Sequence, residues 1–155
     1  MKVILPGSYD PVTLGHLDLI RRAREQYGEV YAVVFVNPNK KYMFSPEERA
    51  EMLSLACADM DGISVDFSDG LVIDYMKQHG IEKIVKGFRN DFDLEWERVQ
   101  AEYNFSHGGY STELYRCNDG LADLSSTLAR DRILSGEVLD GLLHPAVIKY
   151  IKNKK

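Results

Sequence analysis

The chain has only two cysteines, Cys57 and Cys117, in 155 residues. Two cysteines so far apart, without a histidine cluster beside them, make no metal site. They read as buried free thiols of a reducing compartment, which points to the cytoplasm. Long apolar runs are also missing. The longest, residues 30–36 (VYAVVFV), is far too short to span a bilayer, so no membrane association is expected. The opening MKVILPGSYD has one lysine and a short apolar run cut off by Pro6 and Gly7. It reads as a first strand, because a signal peptide needs a longer apolar region and a small-residue cleavage site. Positive charge is scarce: 19 Lys and Arg stand against 24 Asp and Glu, a net charge of −5. A general nucleic-acid binder is usually basic, so that class is disfavoured. A mildly acidic protein that handles polyanions must gather its cations locally, which gives weight to Lys and Arg in loops at strand ends. There is no internal repeat, low-complexity segment or long linker. GxGxxG and Walker A motifs are absent, so dinucleotide enzymes and P-loop NTPases lose support.

What is there suits one domain over residues 1–155. The chain is 45% hydrophobic and 28% charged, ordinary for a globular protein with a real core. Residues 3–5 form a buried strand stopped by Pro6-Gly7. Residues 16–27 follow at helical spacing and end at Gly28. The run 30–36 suits a strand covered on both faces. Ser45-Pro46-Glu47-Glu48 opens a helix with a capping box. Strands are expected at 63–67, 84–86 and 113–117. Helices are expected at 72–79, 91–103, 125–134 and 146–151. The first of these four should stop at Gly80, and the second carries Phe92, Leu94, Trp96 and Val99 as its apolar positions. Residues 106–112 (SHGGYST) read as a mobile loop. Strands alternating with helices predict an α/β fold: one parallel sheet of about five strands with helices on both faces. In such sheets ligands bind beyond the carboxyl ends of the strands, so segments that follow strands matter most.

Four segments there carry chemistry. GSYDPVTLGH, residues 7–16, runs from the first strand into the first helix and places His16 at a helix N-terminus, where N–H groups and the dipole attract phosphate. NPNKKYMF, residues 37–44, puts adjacent Lys40 and Lys41 in a loop; surface lysines are ordinarily just solvated. KGFR, residues 86–89, brings Lys86 and Arg89 after another strand. LSSTLAR, residues 124–130, presents Ser125, Ser126 and Thr127 at a helix start, with Arg130 one turn on. Taken alone, that last segment would be an ordinary N-cap.

Together these segments resemble the nucleotidyltransferases of the T/HxGH and ISSTxxR type, through Thr13-Leu14-Gly15-His16 and Leu124–Arg130. The surrounding GSYDPVT is similar to the phosphopantetheine adenylyltransferase family, and the resemblance covers nearly the whole chain. It implies a Rossmann-like domain, a homohexamer, and adenylyl transfer from ATP to 4′-phosphopantetheine in coenzyme A synthesis. It further implies that His16, Lys40 and Arg89 act in catalysis, and that Ser8, Lys40, Val72 and Lys86 meet the acceptor. ATP would be met by Ser8, Tyr9, His16, Gly87, Phe88, Arg89, Glu97, Ser125, Ser126, Thr127 and Arg130. Three departures stand out: Lys86 replaces an arginine, Tyr103-Asn104 replaces Met-Asn, and residues 106–123 lack the usual apolar strand.

The reaction itself explains the inventory. An acceptor phosphate attacks the α-phosphorus of ATP and pyrophosphate leaves. A phosphate monoester has a second pKa near about 6, so the nucleophile is ionised without a general base. What is needed is positioning and preorganised positive charge. Mg²⁺ would come mainly on ATP oxygens, since no dedicated carboxylate cage is visible. Two other readings stay open: a sibling cytidylyltransferase acting on another phosphorylated acceptor, and a nucleotide-binding regulator that has lost catalysis.

Overall fold

The computed structural model describes residues 1–118, 120–121 and 124–154. Along the chain run β1 (Lys2–Gly7), α1 (Leu14–Tyr27), β2 (Glu29–Phe35), α2 (Pro46–Cys57), β3 (Ile63–Ser68) and α3 (Val72–His79). They are followed by β4 (Lys83–Phe88), α4 (Asp91–Gly108), β5 (Ser111–Arg116), α5 (Ser126–Ser135) and α6 (Pro145–Asn153). The strands form one five-stranded sheet in the order β3-β2-β1-β4-β5, and every pairing is parallel. The α/β, Rossmann-like architecture expected from the alternation is the one observed.

Burial follows the two-faced pattern of the strands. Val3, Leu5, Ala32, Val34 and Val85 pack on one face against Ile20 of α1, Met52 and Leu53 of α2, and Val147 of α6. Ile4, Val33 and Ile84 pack on the other against Tyr75 and Met76 of α3. The run in β2 is hydrophobic throughout because consecutive residues Ala32, Val33 and Val34 face opposite layers and are all wholly buried.

The chain winds β1 to β2 to β3 in one direction, then crosses back to lay β4 and β5 on the other side of β1. The junction is loosely joined. β1 shares six register pairs with β2 but only Val3↔Lys83 and Ile4↔Ile84 with β4. Beyond Ile4 the two strands part, and a cleft of about 250 Å³ opens between Pro6-Gly7 and Lys86-Gly87. Gly87 has no alternative there, because a Cβ on it would overlap Leu19 of α1.

Local signals mostly do what the sequence suggests. Ser45 and Glu48 form the capping box of α2. α3 ends at Gly80, which adopts the left-handed conformation. Two expectations need correction. Residues 106–112 are not a loop: α4 continues to Gly108, Gly109 caps it with an N–H to the Phe105 carbonyl at 2.9 Å, and β5 begins at Ser111. Gly108 belongs to the helix because its missing Cβ lets the helix end lie against Ile73. Cys117 falls just past β5 and is only half-buried, whereas Cys57 is buried as expected. The apolar positions of α4 also behave unexpectedly. That helix buries no residue, and Phe92, Trp96, Val99 and Tyr103 are 54–85% exposed.

Candidate active site

Two clefts meet at the carboxyl ends of β1 and β4. One, of about 460 Å³, is lined by Asn37, Val72, Lys86, Gln100 and Asn104, among others. The second, of about 690 Å³, is lined by His16, Arg89, Cys117, Ser125, Thr127 and Arg130, among others. Ser8, Lys40 and Glu97 line both. Of the proposed site residues, Tyr9 borders only the smaller cleft between β1 and β4, and Phe88 lines none of the three. Its ring is buried with Arg116 at 5.0 Å, and its carbonyl accepts from the Cys117 N–H. Lys41 lines neither cleft. Part of the divergent stretch before the serines, Asp119, Ala122 and Asp123, lies outside the described residues.

The β1–α1 turn positions His16. Thr13 caps α1: its hydroxyl accepts from the His16 N–H, and its own N–H donates to His16 Nδ1 at 3.0 Å. A backbone N–H can only donate, so Nδ1 must be the unprotonated nitrogen and Nε2 carries the hydrogen. Burial, then the Lys86 and Arg89 cations, push the His16 pKa down to about 4. The ring is therefore a neutral donor whose Nε2–H remains for a ligand. The Tyr9 ring meets it edge-on at 5.0 Å, and Tyr9 is held by its hydroxyl donating to the Leu5 carbonyl at 2.8 Å. Tyr9 has a φ of +47°, and no other non-glycine residue among those described has a positive φ. Backbone strain of this kind persists where surrounding contacts over-determine it. The Ser8 and Tyr9 N–H groups donate to no other described residue, which leaves both for an anion.

The cations arrive already paired. Lys86 Nζ lies 3.7 Å from Glu97, whose carboxyl burial pushes above its usual pKa while Lys86 pulls it back. Arg89 Nε lies 2.9 Å from Asp93, one turn along on α4. Arg130 donates to the Asp10 carbonyl at 2.9 Å and to Thr127 Oγ1 at 3.2 Å. Lys40 is exposed at the mouth shared by both clefts. Glu97 borders all three clefts and so stands where they meet. The serine segment forms the start of α5. Ser125 Oγ caps α5 by accepting from Leu128 N–H, and Ser126 Oγ donates to the Pro11 carbonyl at 2.8 Å. The Ser126 hydroxyl hydrogen is thereby engaged, whereas Ser125 Oγ, like Thr127 Oγ1, only accepts and keeps its O–H to donate. The Ser126 and Thr127 N–H groups, at the positive end of the helix dipole, are further donors this turn offers an anion.

Several residues that shape the site were not singled out from sequence. Asp10 is buried, and its two carboxylate oxygens accept from the Met43 and Phe44 N–H groups at 2.9 and 3.0 Å. It thereby ties the β1–α1 turn to the lysine loop, a contact with no local sequence signal. Asp93 could have been found, since Arg and Asp four apart on a helix are neighbours. Gln100 and Thr112 line the first cleft without any local signal.

The His16 geometry predicts a titration. In an NMR pH titration, His16 should show the Nε2–H tautomer at neutral pH and a midpoint well below the ordinary 6.5. The folded pKa is depressed, so below about pH 6.5 the unfolded chain binds the proton that folded His16 refuses. This group's stabilising contribution is present above that pH and is lost progressively as the pH falls toward 4. A midpoint at 6.5 or higher would contradict the assigned hydrogen bond.

Comparison with known proteins agrees with this geometry. The cytidylyltransferase-like family model matches residues 4–132. The phosphopantetheine adenylyltransferase of Corynebacterium efficiens is 38% identical over 155 residues, covering 99% of this chain and 98% of its own. Proteins of the same name from Symbiobacterium thermophilum and Clostridium novyi are each 38% identical, covering 99% and 97% of this chain and 96% and 94% of theirs. With identity sustained over almost its whole length, this chain belongs to the phosphopantetheine adenylyltransferase family of nucleotidyltransferases.

Proposed function

We propose that the protein transfers the adenylyl group of ATP to 4′-phosphopantetheine, releasing pyrophosphate and dephospho-coenzyme A, in the cytoplasm. The observation that carries this reading is the meeting of two clefts at Ser8 and Lys40. The polar cleft with Arg89, Arg130 and the start of α5 suits a nucleotide triphosphate. The other cleft, floored by Val72 and Ile84 and edged by Asn37, Gln100 and Asn104, suits a long arm with amide groups. Lys40 and Lys86 would draw the acceptor phosphate to the junction, and Ser8 with the Tyr9 N–H would hold the α-phosphate. Pyrophosphate would leave against Arg89, Arg130 and the N–H groups of Ser126 and Thr127.

The chemistry then needs little else. The acceptor phosphate is already anionic at neutral pH. His16, a neutral donor, can follow charge as it builds on the α-phosphoryl oxygens without changing its own protonation. Mg²⁺ would enter with the nucleotide. The carboxylates bordering the nucleotide cleft are taken up, Asp93 by Arg89 and Glu97 by Lys86, so these residues do not form a cage for the ion.

Two experiments test this reading. Pyrophosphate release should be seen with ATP and 4′-phosphopantetheine, and His16→Ala should lower kcat by about a hundredfold to a thousandfold with a smaller change in KM. Turnover of CTP without turnover of ATP would overturn the nucleotide assignment. In calorimetric titrations Lys86→Arg should preserve or tighten acceptor binding, because the fork meets phosphate bidentately. Lys86→Ala should weaken it about tenfold to a hundredfold, as expected for losing a charge-assisted hydrogen bond of about 1.5–3 kcal/mol. Unchanged acceptor affinity in Lys86→Ala would remove Lys86 from the site.

A homohexamer is the assembly the family resemblance implies, and the outer face of α4 supports association of copies. Phe92, Trp96, Val99 and Tyr103 fall at i, i+4, i+7 and i+11, one stripe of exposed apolar side chains. Light scattering should find the wild-type chain as a hexamer and Trp96→Glu as a smaller species. A monomeric wild type would refute the assembly.

A further inference from the structure

Arg49 is wholly buried, and it stands among the largest fully buried side chains of the protein. Burying a guanidinium is expensive, and an apolar residue of similar size is often the more stable choice. No carboxylate among the described residues lies within ion-pair distance of Arg49. Its partners are instead carbonyls and a ring. Nη1 donates to the Ser8 carbonyl at 2.9 Å, and Nε donates to the Phe44 carbonyl at 3.1 Å and the Ser45 carbonyl at 3.4 Å. The guanidinium lies 3.8 Å from the centre of the Tyr42 ring, and the Tyr42 hydroxyl accepts from the Asn37 N–H at 2.9 Å. Nη2 is buried with no hydrogen-bond partner.

Each of these contacts reaches a segment of the proposed site. Ser8 lies in the turn after β1. Asn37, Tyr42, Phe44 and Ser45 lie in the loop after β2 that carries Lys40. The Ser8–Tyr9 peptide is trans, so its carbonyl and N–H point in opposite directions. When Arg49 holds the Ser8 carbonyl from below, the Tyr9 N–H is turned away from it. A charged donor on the carbonyl also polarises that peptide and makes its N–H a stronger donor. On the other side, the stack under Tyr42 fixes the loop from Asn37 to Ser45.

We propose that Arg49 is a positioning residue for adenylyl transfer, a buried cation that locks the Ser8–Tyr9 turn and the Lys40 loop into one cradle for two phosphates. The inference rests on the activity proposed above. Arg49 carries a charge that the described residues leave uncompensated, and the incoming phosphates supply the opposite charge. The residue touches neither substrate. It holds the α-phosphate donors and the acceptor cation at a fixed separation, and a misplacement on the order of 1 Å between reacting groups costs about a hundredfold in rate.

The test uses the full chain with Arg49→Lys, Arg49→Met, Tyr42→Leu and the Tyr42→Leu/Arg49→Met double variant. Far-UV circular dichroism and thermal melts establish which of them are folded. Arg49→Lys keeps the charge but cannot bridge three carbonyls and stack, so it should fail to rescue. Folded variants should lose about tenfold to a hundredfold in kcat and raise the acceptor KM, with ATP affinity by calorimetry within about threefold of wild type. The double variant should be no worse than Arg49→Met, as expected of residues that act as a unit. If Arg49→Met does not fold, Tyr42→Leu alone carries the same expectation for acceptor KM. Wild-type kcat and acceptor KM in a folded Arg49→Lys or Tyr42→Leu would overturn the proposal, as would an equal loss of ATP and acceptor binding. Inorganic phosphate provides a readout without turnover: it should raise the melting temperature of the wild type more than that of Tyr42→Leu. Equal shifts would count against Arg49. An inactive wild type that still showed the difference would sink the assigned reaction and leave the cradle standing.

Discussion

Strands β1 and β4 lie side by side only at Val3-Ile4 and Lys83-Ile84, and the rest of the molecule is arranged around their separation. The chain lays β2 and β3 outward on one side of β1 and β4 and β5 on the other, so the loops leaving β1 and β4 depart to opposite faces of the sheet. Above Ile4 the strands border a cleft lined by Pro6, Gly7, Lys86 and Gly87. Gly87 keeps its side of it open by lacking a side chain beside Leu19. Both clefts open from this place, and the functional segments named from sequence converge on it. A doubly wound sheet produces such a crevice wherever its strand order reverses.

An acidic chain that gathers phosphates must keep its cations aligned before the ligand comes. Here three of them are leashed by acceptors of the same chain: Lys86 by Glu97, Arg89 by Asp93, Arg130 by Asp10 and Thr127. These pairings cost little, since partly exposed ion pairs are weak, and they hold long side chains in place where their charge is wanted. His16 follows the opposite rule. Its surroundings keep it neutral, so it contributes a directed N–H at Nε2 where a second net charge on the ring would be expensive. Preorganisation of this kind suits a reaction whose nucleophile is already ionised.

The helix α4 joins the site to the outside. Glu97, Gln100, Ala101 and Asn104 face the acceptor cleft, while Phe92, Trp96, Val99 and Tyr103 face away from it. No residue of this helix is buried within the single chain. A wall supported on one side alone has few buried contacts to hold it, the condition under which local opening is cheap. Any partner that covered the apolar stripe would therefore also stiffen one side of the acceptor cleft.

The sequence by itself determined the alternation of elements, the caps at Ser45 and Gly80, and the four segments that follow strands. These are local properties: hydrophobic period, glycine conformation and N-cap chemistry act over a few residues and can be read from a few residues. It also placed His16 at a helix N-terminus, because Thr13-Leu14-Gly15-His16 is a local pattern. It misread residues 106–112, where two adjacent glycines signal a turn, because the packing of Gly108 on Ile73 of a distant helix lets α4 run on. Only the tertiary structure decided which nitrogen of His16 is free, that Glu97 stands where the clefts meet, and that the Ser126 hydroxyl already donates to Pro11. It alone revealed Asp10 and Arg49 as the struts joining two loops more than thirty residues apart in the chain. Those facts depend on hydrogen bonds between segments whose proximity is set by the sheet, and no spacing along the chain encodes such a distance.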